Sequence, residues 1–212
     1  MNVTELRPGL WRWTARHPEW RPGDNWDADV GCVYYEAPAC TVLIDPLVPQ
    51  EDEGRFWQAL DRDVKRRGQP VTVVLTASWH ERSAIAISER YGAMVWAPAL
   101  GGTQIERGAA TTAELPFGVE QAPLEGSEAG EVALFFPEAG ALVAGDIFTG
   151  SDAGLDVIAS AAPGDAELLA SLERIAALGA DLVLPSHGEP VLSGGQAALL
   201  GALARFTSRG RR

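Results

Sequence analysis

The stretch from Val73 to Ala86 constrains this chain more than any other. Val73, Val74 and Leu75 form a short apolar, β-branched run, as in a strand covered on both faces. Beyond it, Ala84, Ile87 and Tyr91 fall at helical spacing, and Gly92 follows as a stop. The turn between them carries His80, Glu81 and Arg82. Strand ends that feed helices are where open α/β folds place their chemistry. The pattern therefore predicts a strand, a polar turn and a helix, with the turn as the candidate site.

The other elements agree with a mixed α/β chain. Leu10–Thr14 reads as a first strand, and residues 16–26 as a loop rich in turn formers and tryptophan. That loop either seals an edge of the core or walls a pocket with Trp20 and Trp26. Residues 31–36 and 40–45 read as a hairpin turning near Ala37-Pro38. A symmetric turn there would set Cys40 opposite Tyr35 and Cys32 opposite Leu43, which argues against a disulfide. Residues 51–67 form an amphipathic helix with Phe56, Leu60 and Val64 on one stripe and Gly68 as its stop. Residues 99–150 read as a second, mostly antiparallel sheet ending at Gly145-Asp146. Asp165 can cap a helix over Leu168, Leu172 and Ile175. A strand over 181–185 then runs into Ser186-His187-Gly188.

With 212 residues the chain is long enough for one substantial core. A formal net charge of -12 argues against nucleic acid as a partner, because that binding rests on Lys and Arg neutralising phosphates. No apolar run is long enough to span a bilayer, so no membrane partner is expected. The first residues lack a basic-then-apolar signal, and the two cysteines read as buried packing. Together these set the cytoplasm as the expected compartment.

The central stretch resembles the signature loop of the metallo-β-lactamase superfamily. There a strand ending in Leu-Thr runs into His-x-His-x-Asp-His, then small residues and a helix. Leu75-Thr76 and Ser83-Ala84 match this frame, while the four ligand positions fall on Ala77, Trp79, Glu81 and Arg82. Leu43-Ile44-Asp45, Gly145-Asp146 and Ser186-His187-Gly188 match further landmarks in order. The resemblance spans nearly the whole chain. It implies an α/β (α+β) fold, a four-layer αββα sandwich, as a single domain over residues 1–212. It also implies that the turns of His80, Asp146 and His187 converge at one edge, with Asp45 as a structural acid bracing the loop.

The same resemblance maps the family's first metal site onto Ala77, Trp79 and Ser127. Alanine and tryptophan cannot ligate, so this site reads as lost. The second set maps onto Glu81, Arg82, Asp146 and His187. Glu81, Asp146 and His187 are ligand types suited to one zinc, iron or manganese ion. Arg82 is a permanent cation, expected to contact Asp146 or Glu81 where a metal charge would sit. His80 occupies a spacer position. It reads as a surface or pocket-lining histidine, or more sharply as a replacement ligand or general base.

These residues imply a family member with a largely lost metal centre and no cofactor. It would bind a small molecule, anionic or neutral, in a pocket of Trp79, Arg82, Trp20 and Trp26, with His80, Asp146 and His187 as catalytic candidates. One alternative is a mono-metal hydrolase of esters, lactones or thioesters using Glu81, Asp146 and His187. The other is a structural or interaction domain. The oligomeric state stays open.

Overall fold

A computed structural model describes residues 2–98, 115, 118–126, 130–152, 154–158 and 166–209. The positions of Ser127 and Asp165 lie outside the described residues. The chain divides into two compact units, Met1–Phe117 and Gly118–Arg212.

The first unit is a six-stranded sheet in the order β1(Asn2–Arg7), β2(Leu10–Arg16), β3(Asp29–Glu36), β4(Thr41–Ile44), β5(Val71–Val74), β6(Met94–Trp96). The first four strands are antiparallel neighbours, and β4, β5 and β6 run parallel. Parallel neighbours need a crossover, supplied by α1(Glu53–Arg67) and α2(Ala84–Tyr91). Phe56 and Leu60 of α1 and Ala84 and Ile87 of α2 are buried in one cluster with Leu43, Val73 and Leu75 of the sheet. Burying side chains such as Phe56 and Leu60 contributes about 1.5–3 kcal/mol each. Gly68 ends α1 with φ 61, and its N–H is accepted by the Val64 carbonyl. Gly92 ends α2 in the same way, through Ser88.

The hairpin register differs from the symmetric one expected. Tyr35 pairs with Val42 and Tyr34 with Leu43. The connection is Ala37–Cys40 rather than a two-residue turn, which moves the pairing by two residues. Both cysteines are free and buried, and burial pushes each thiol up to about 11.

The second unit is built around β9(Ala141–Ser151). Along one edge β9 pairs with β8(Val132–Phe136) through its first residues and with β10(Gly154–Val157) through its last. Strand β7(Glu120–Pro123) extends the sheet beyond β8, and β11(Leu182–His187) runs parallel to β9. Apart from β11 this is the antiparallel sheet expected. Helices α3(Ala166–Ala176) and α4(Gly195–Arg209) share a buried cluster with it, through Leu168, Leu172, Ile175, Leu199 and Phe206. The strand does not stop at Gly145-Asp146 as the turn pattern suggested. Gly145 takes φ 55 and β9 continues to Ser151, with the register against β11 shifting on either side of Pro185. No helix among the described residues is long and apolar enough to cross a membrane.

Candidate functional site

In the first unit the site lies where β4 and β5 end. Beyond Thr76 the chain is extended at Ala77, makes a short 3-10 turn over Ser78–Glu81, and reaches Arg82 at φ 40, ψ -109. Asp45, just past β4, has φ 46. These two are the non-glycine residues with positive φ among the described residues. Such backbone costs of order 1–3 kcal/mol and persists only where neighbours over-determine it.

The neighbours are specific. Asp45 is buried, and its Oδ1 accepts the Thr76 N–H at 2.8 Å. Its Oδ2 accepts the Thr76 hydroxyl at 2.5 Å and faces His80 Nδ1 at 3.0 Å. A carboxylate only accepts, so Nδ1 is the protonated nitrogen of His80. The same N–H also lies 3.1 Å from Thr76 Oγ1. Burial alone would raise the pKa of Asp45. The charge and hydrogen bond of His80, the Arg82 charge and the Thr76 bond outweigh it, and the carboxyl sits below its ordinary value. His80 is therefore not the surface histidine of the simpler expectation: it is 3% exposed and tied to Asp45.

Arg82 also departs from expectation. Its Nη1 donates to the Asp45 carbonyl at 2.8 Å and the Gly31 carbonyl at 3.2 Å, and lies 3.9 Å from Cys32 Sγ. It was expected to contact Asp146 or Glu81, and Glu81 is not among these partners. The reason is geometric: with φ at 40 at Arg82, the side chain runs back to the buried carbonyls of Gly31 and Asp45. Ser83 adds two ties, accepting the Val48 N–H at 2.9 Å and donating its own N–H to Pro46 O at 3.0 Å. The loop pattern marks Ser83 only as a small residue. Arg82→Ala is expected to lower the stability of the first unit by about 1.5–3 kcal/mol, measured by urea unfolding, because it leaves buried carbonyls without a charged donor.

Trp79, beside His80, is 47% exposed, and its ring meets the imidazole edge-on at 5.9 Å. Trp20 and Trp26 belong to the loop between β2 and β3. The Trp20 indole N–H donates to the Trp26 carbonyl at 2.9 Å, and Trp26 packs edge-on against His17. Trp20 lines a cavity of about 480 Å³ with Arg16, His17, Asp29 and Glu51, whose walls include neither Trp79, Arg82 nor Trp26.

In the second unit Asp146 and His187 come together, with Oδ1 and Nε2 3.5 Å apart and both side chains partly buried. Gly145, beside Asp146, has φ 55 and lies at a register shift between β9 and β11, the kind of irregularity that is common near sites. The Thr149 hydroxyl donates to the His187 carbonyl at 3.3 Å. The turn beyond His187 crosses β9 at glycine on glycine. A Cβ on Gly188 would lie 1.9 Å from Gly150 O, and one on Gly150 1.8 Å from Glu189 O. Gly150 had no signal in the sequence, because a close crossing of distant backbones leaves no periodicity.

A family metal centre needs histidines at positions where this chain has Ala77 and Trp79. Among the described residues, no group of three or more His, Cys, Asp or Glu side chains is gathered to hold an ion. The donor set does not fit the two-metal centre implied by the loop.

A family model described as the metallo-beta-lactamase superfamily matches residues 4–205. The chain belongs to the metallo-β-lactamase superfamily. Among solved structures it is similar to a metallo-beta-lactamase from Pontibacter korlensis, at 19% identity and TM-score 0.69 over 97% of this chain and 98% of that one. It is also similar to a metallo beta lactamase from Erythrobacter litoralis, at 18% identity and TM-score 0.64 over 99% and 91%. A beta-lactamase domain protein from Burkholderia ambifaria matches at 19% identity and TM-score 0.66 over 98% and 76%. Comparison with curated proteins gives no match. At these identities the likeness is one of fold, and the fold class is the α/β type of that superfamily.

Proposed function

We propose that this protein is a single-domain, cytoplasmic member of the superfamily that binds a small molecule without the two-metal centre. The observation that carries this reading is how the loop is held. Where the family pattern places metal-binding histidines, this chain has Ala77, Trp79 and Arg82, and Arg82 is bonded to two main-chain carbonyls of the protein itself. Arg82 then acts as a fastener of the loop rather than as the anion-binding group. Trp79 is left as an exposed aromatic face beside the loop, suited to stacking on a ligand.

The test is a ligand screen of small carboxylates, esters, lactones and thioesters by ligand-observed NMR, repeated on Trp79→Ala. Because an aromatic contact is worth about 0.5–1.5 kcal/mol beyond its area, the variant is expected to bind up to about tenfold more weakly. Unchanged binding by the variant would contradict the assignment of Trp79.

A second reading is favoured by the closeness of Asp146 and His187, both ligand types. It is a hydrolase of esters, lactones or thioesters that takes one ion, for which Glu81 is the remaining candidate ligand. Turnover of such substrates that requires added zinc, iron or manganese would support it over the first.

A further inference from the structure

The cavity under the tryptophan loop is a separate feature with its own chemistry. Its volume, about 480 Å³, falls in the range of small-molecule sites. Its walls come from Asn2 of β1, the end of β2, the β2–β3 loop at His17, Pro18 and Trp20, the start of β3 and the segment Pro49–Glu51. Three of its side chains are charged with both signs: Arg16, Asp29 and Glu51.

Arg16 and Asp29 are directly paired in the β2–β3 register. Opposite charges at such a cross-strand position stabilise each other when they meet. Here they do not meet. The Arg16 guanidinium lies over the Trp20 ring instead, 4.8 Å from its centre. Among the described residues, Arg16, Asp29 and Glu51 form no ion pair with any carboxylate or cation. The cavity thus has a cation fixed against an aromatic ring and two carboxylates, none of them neutralised internally.

A ligand carrying only a carboxylate would meet Arg16 but also the repulsion of Asp29 and Glu51. One carrying only an amine would meet the acids and leave Arg16 unanswered. A small molecule with both groups answers both signs at once. We infer that this cavity is a binding site for a small zwitterion, with an α-amino acid as the simplest member of the class: its carboxylate on Arg16, its ammonium on Asp29 and Glu51, and its body against Trp20.

The experiment follows the indole N–H signal of Trp20 by NMR, assigned through Trp20→Phe, while alanine or glutamate is added to about 10 mM, enough to detect millimolar binding. The amino acids are expected to shift that signal saturably. Acetate and ethylamine, each carrying one of the two charges, are expected not to. Arg16→Gln and Asp29→Asn should each weaken binding about tenfold, through loss of a charge-assisted hydrogen bond. Both side chains are exposed, and the remaining indole signals report that the fold is kept. Absence of any saturable shift, an equal shift with acetate or ethylamine, or unchanged binding in both variants would overturn the assignment. The site is independent of the Asp45 and Arg82 network, so this result stands apart from the screen on Trp79.

Discussion

Asp45→Ala is expected to destabilise the first unit by about 3–5 kcal/mol, a large share of the 5–15 kcal/mol that holds an ordinary domain. The loss has identifiable parts. The Thr76 N–H, the Thr76 hydroxyl and the His80 Nδ1–H all point at this one carboxylate from buried positions. Removing it leaves the Thr76 N–H without its acceptor, leaves the Thr76 hydroxyl and the His80 Nδ1–H only each other, and takes away the carboxylate charge that Arg82 and His80 feel. Asp45→Asn should cost less, about 1–3 kcal/mol, since one oxygen remains and one donor is left facing an amide NH₂. The pH dependence follows from the lowered folded pKa. Above the unfolded value of 3.8 the carboxyl is ionised in both states and its contribution is fully present. It fades only as pH falls below 3.8 and through the folded value. The stability gap between wild type and Asp45→Asn, read by urea unfolding, should narrow as pH falls below about 4. A gap already narrowing near neutral pH would contradict an ionised, stabilised Asp45.

Gly188→Ala is expected to be as damaging in the second unit. Gly188 has φ 77, and an added Cβ would lie 1.9 Å from the Gly150 carbonyl oxygen, so one of two backbones must move. Gly179 separates the causes. It has φ 75 with open space around the missing Cβ, so Gly179→Ala meets only the conformational cost of about 1–2 kcal/mol. Gly188→Ala should exceed it by at least about 2 kcal/mol, because overpacking against backbone adds to the same conformational cost. Equal losses in the two variants would mean that the crossing yields freely. The consequence reaches the site, since the crossing seats the turn that keeps His187 within 3.5 Å of Asp146.

Local rules made part of this molecule legible in advance. The helix over 53–67 was readable because Phe56, Leu60 and Val64 share a stripe and Gly68 ends it. The strand at Val71–Val74 was readable from the apolar, β-branched run Val73-Val74-Leu75 that overlaps its end. Strand β1 was not, since Asn2–Arg7 is an exposed edge whose hydrogen bonds to β2, rather than its side chains, make it a strand. The course of β9 beyond Asp146 was hidden because Gly145 there makes a bulge, and the same dipeptide elsewhere makes a turn. At the site, the loop frame was visible in Leu75-Thr76 and Ser83-Ala84, but the aim of Arg82 was not. That aim depends on a backbone angle of 40 and on carbonyls 37 and 51 residues away along the chain, which no periodicity records.

On the proposed reading, protein hydrogen bonds rather than a metal hold this loop, and amide hydrogen exchange separates the two. Untagged protein would be assayed for bound metal, dialysed against a strong chelator, and its exchange followed over residues 76–83 alongside the unfolding midpoint. Less than stoichiometric metal is expected, with the same protection and midpoint before and after chelation. A stoichiometric metal whose removal makes these residues exchange faster would contradict it.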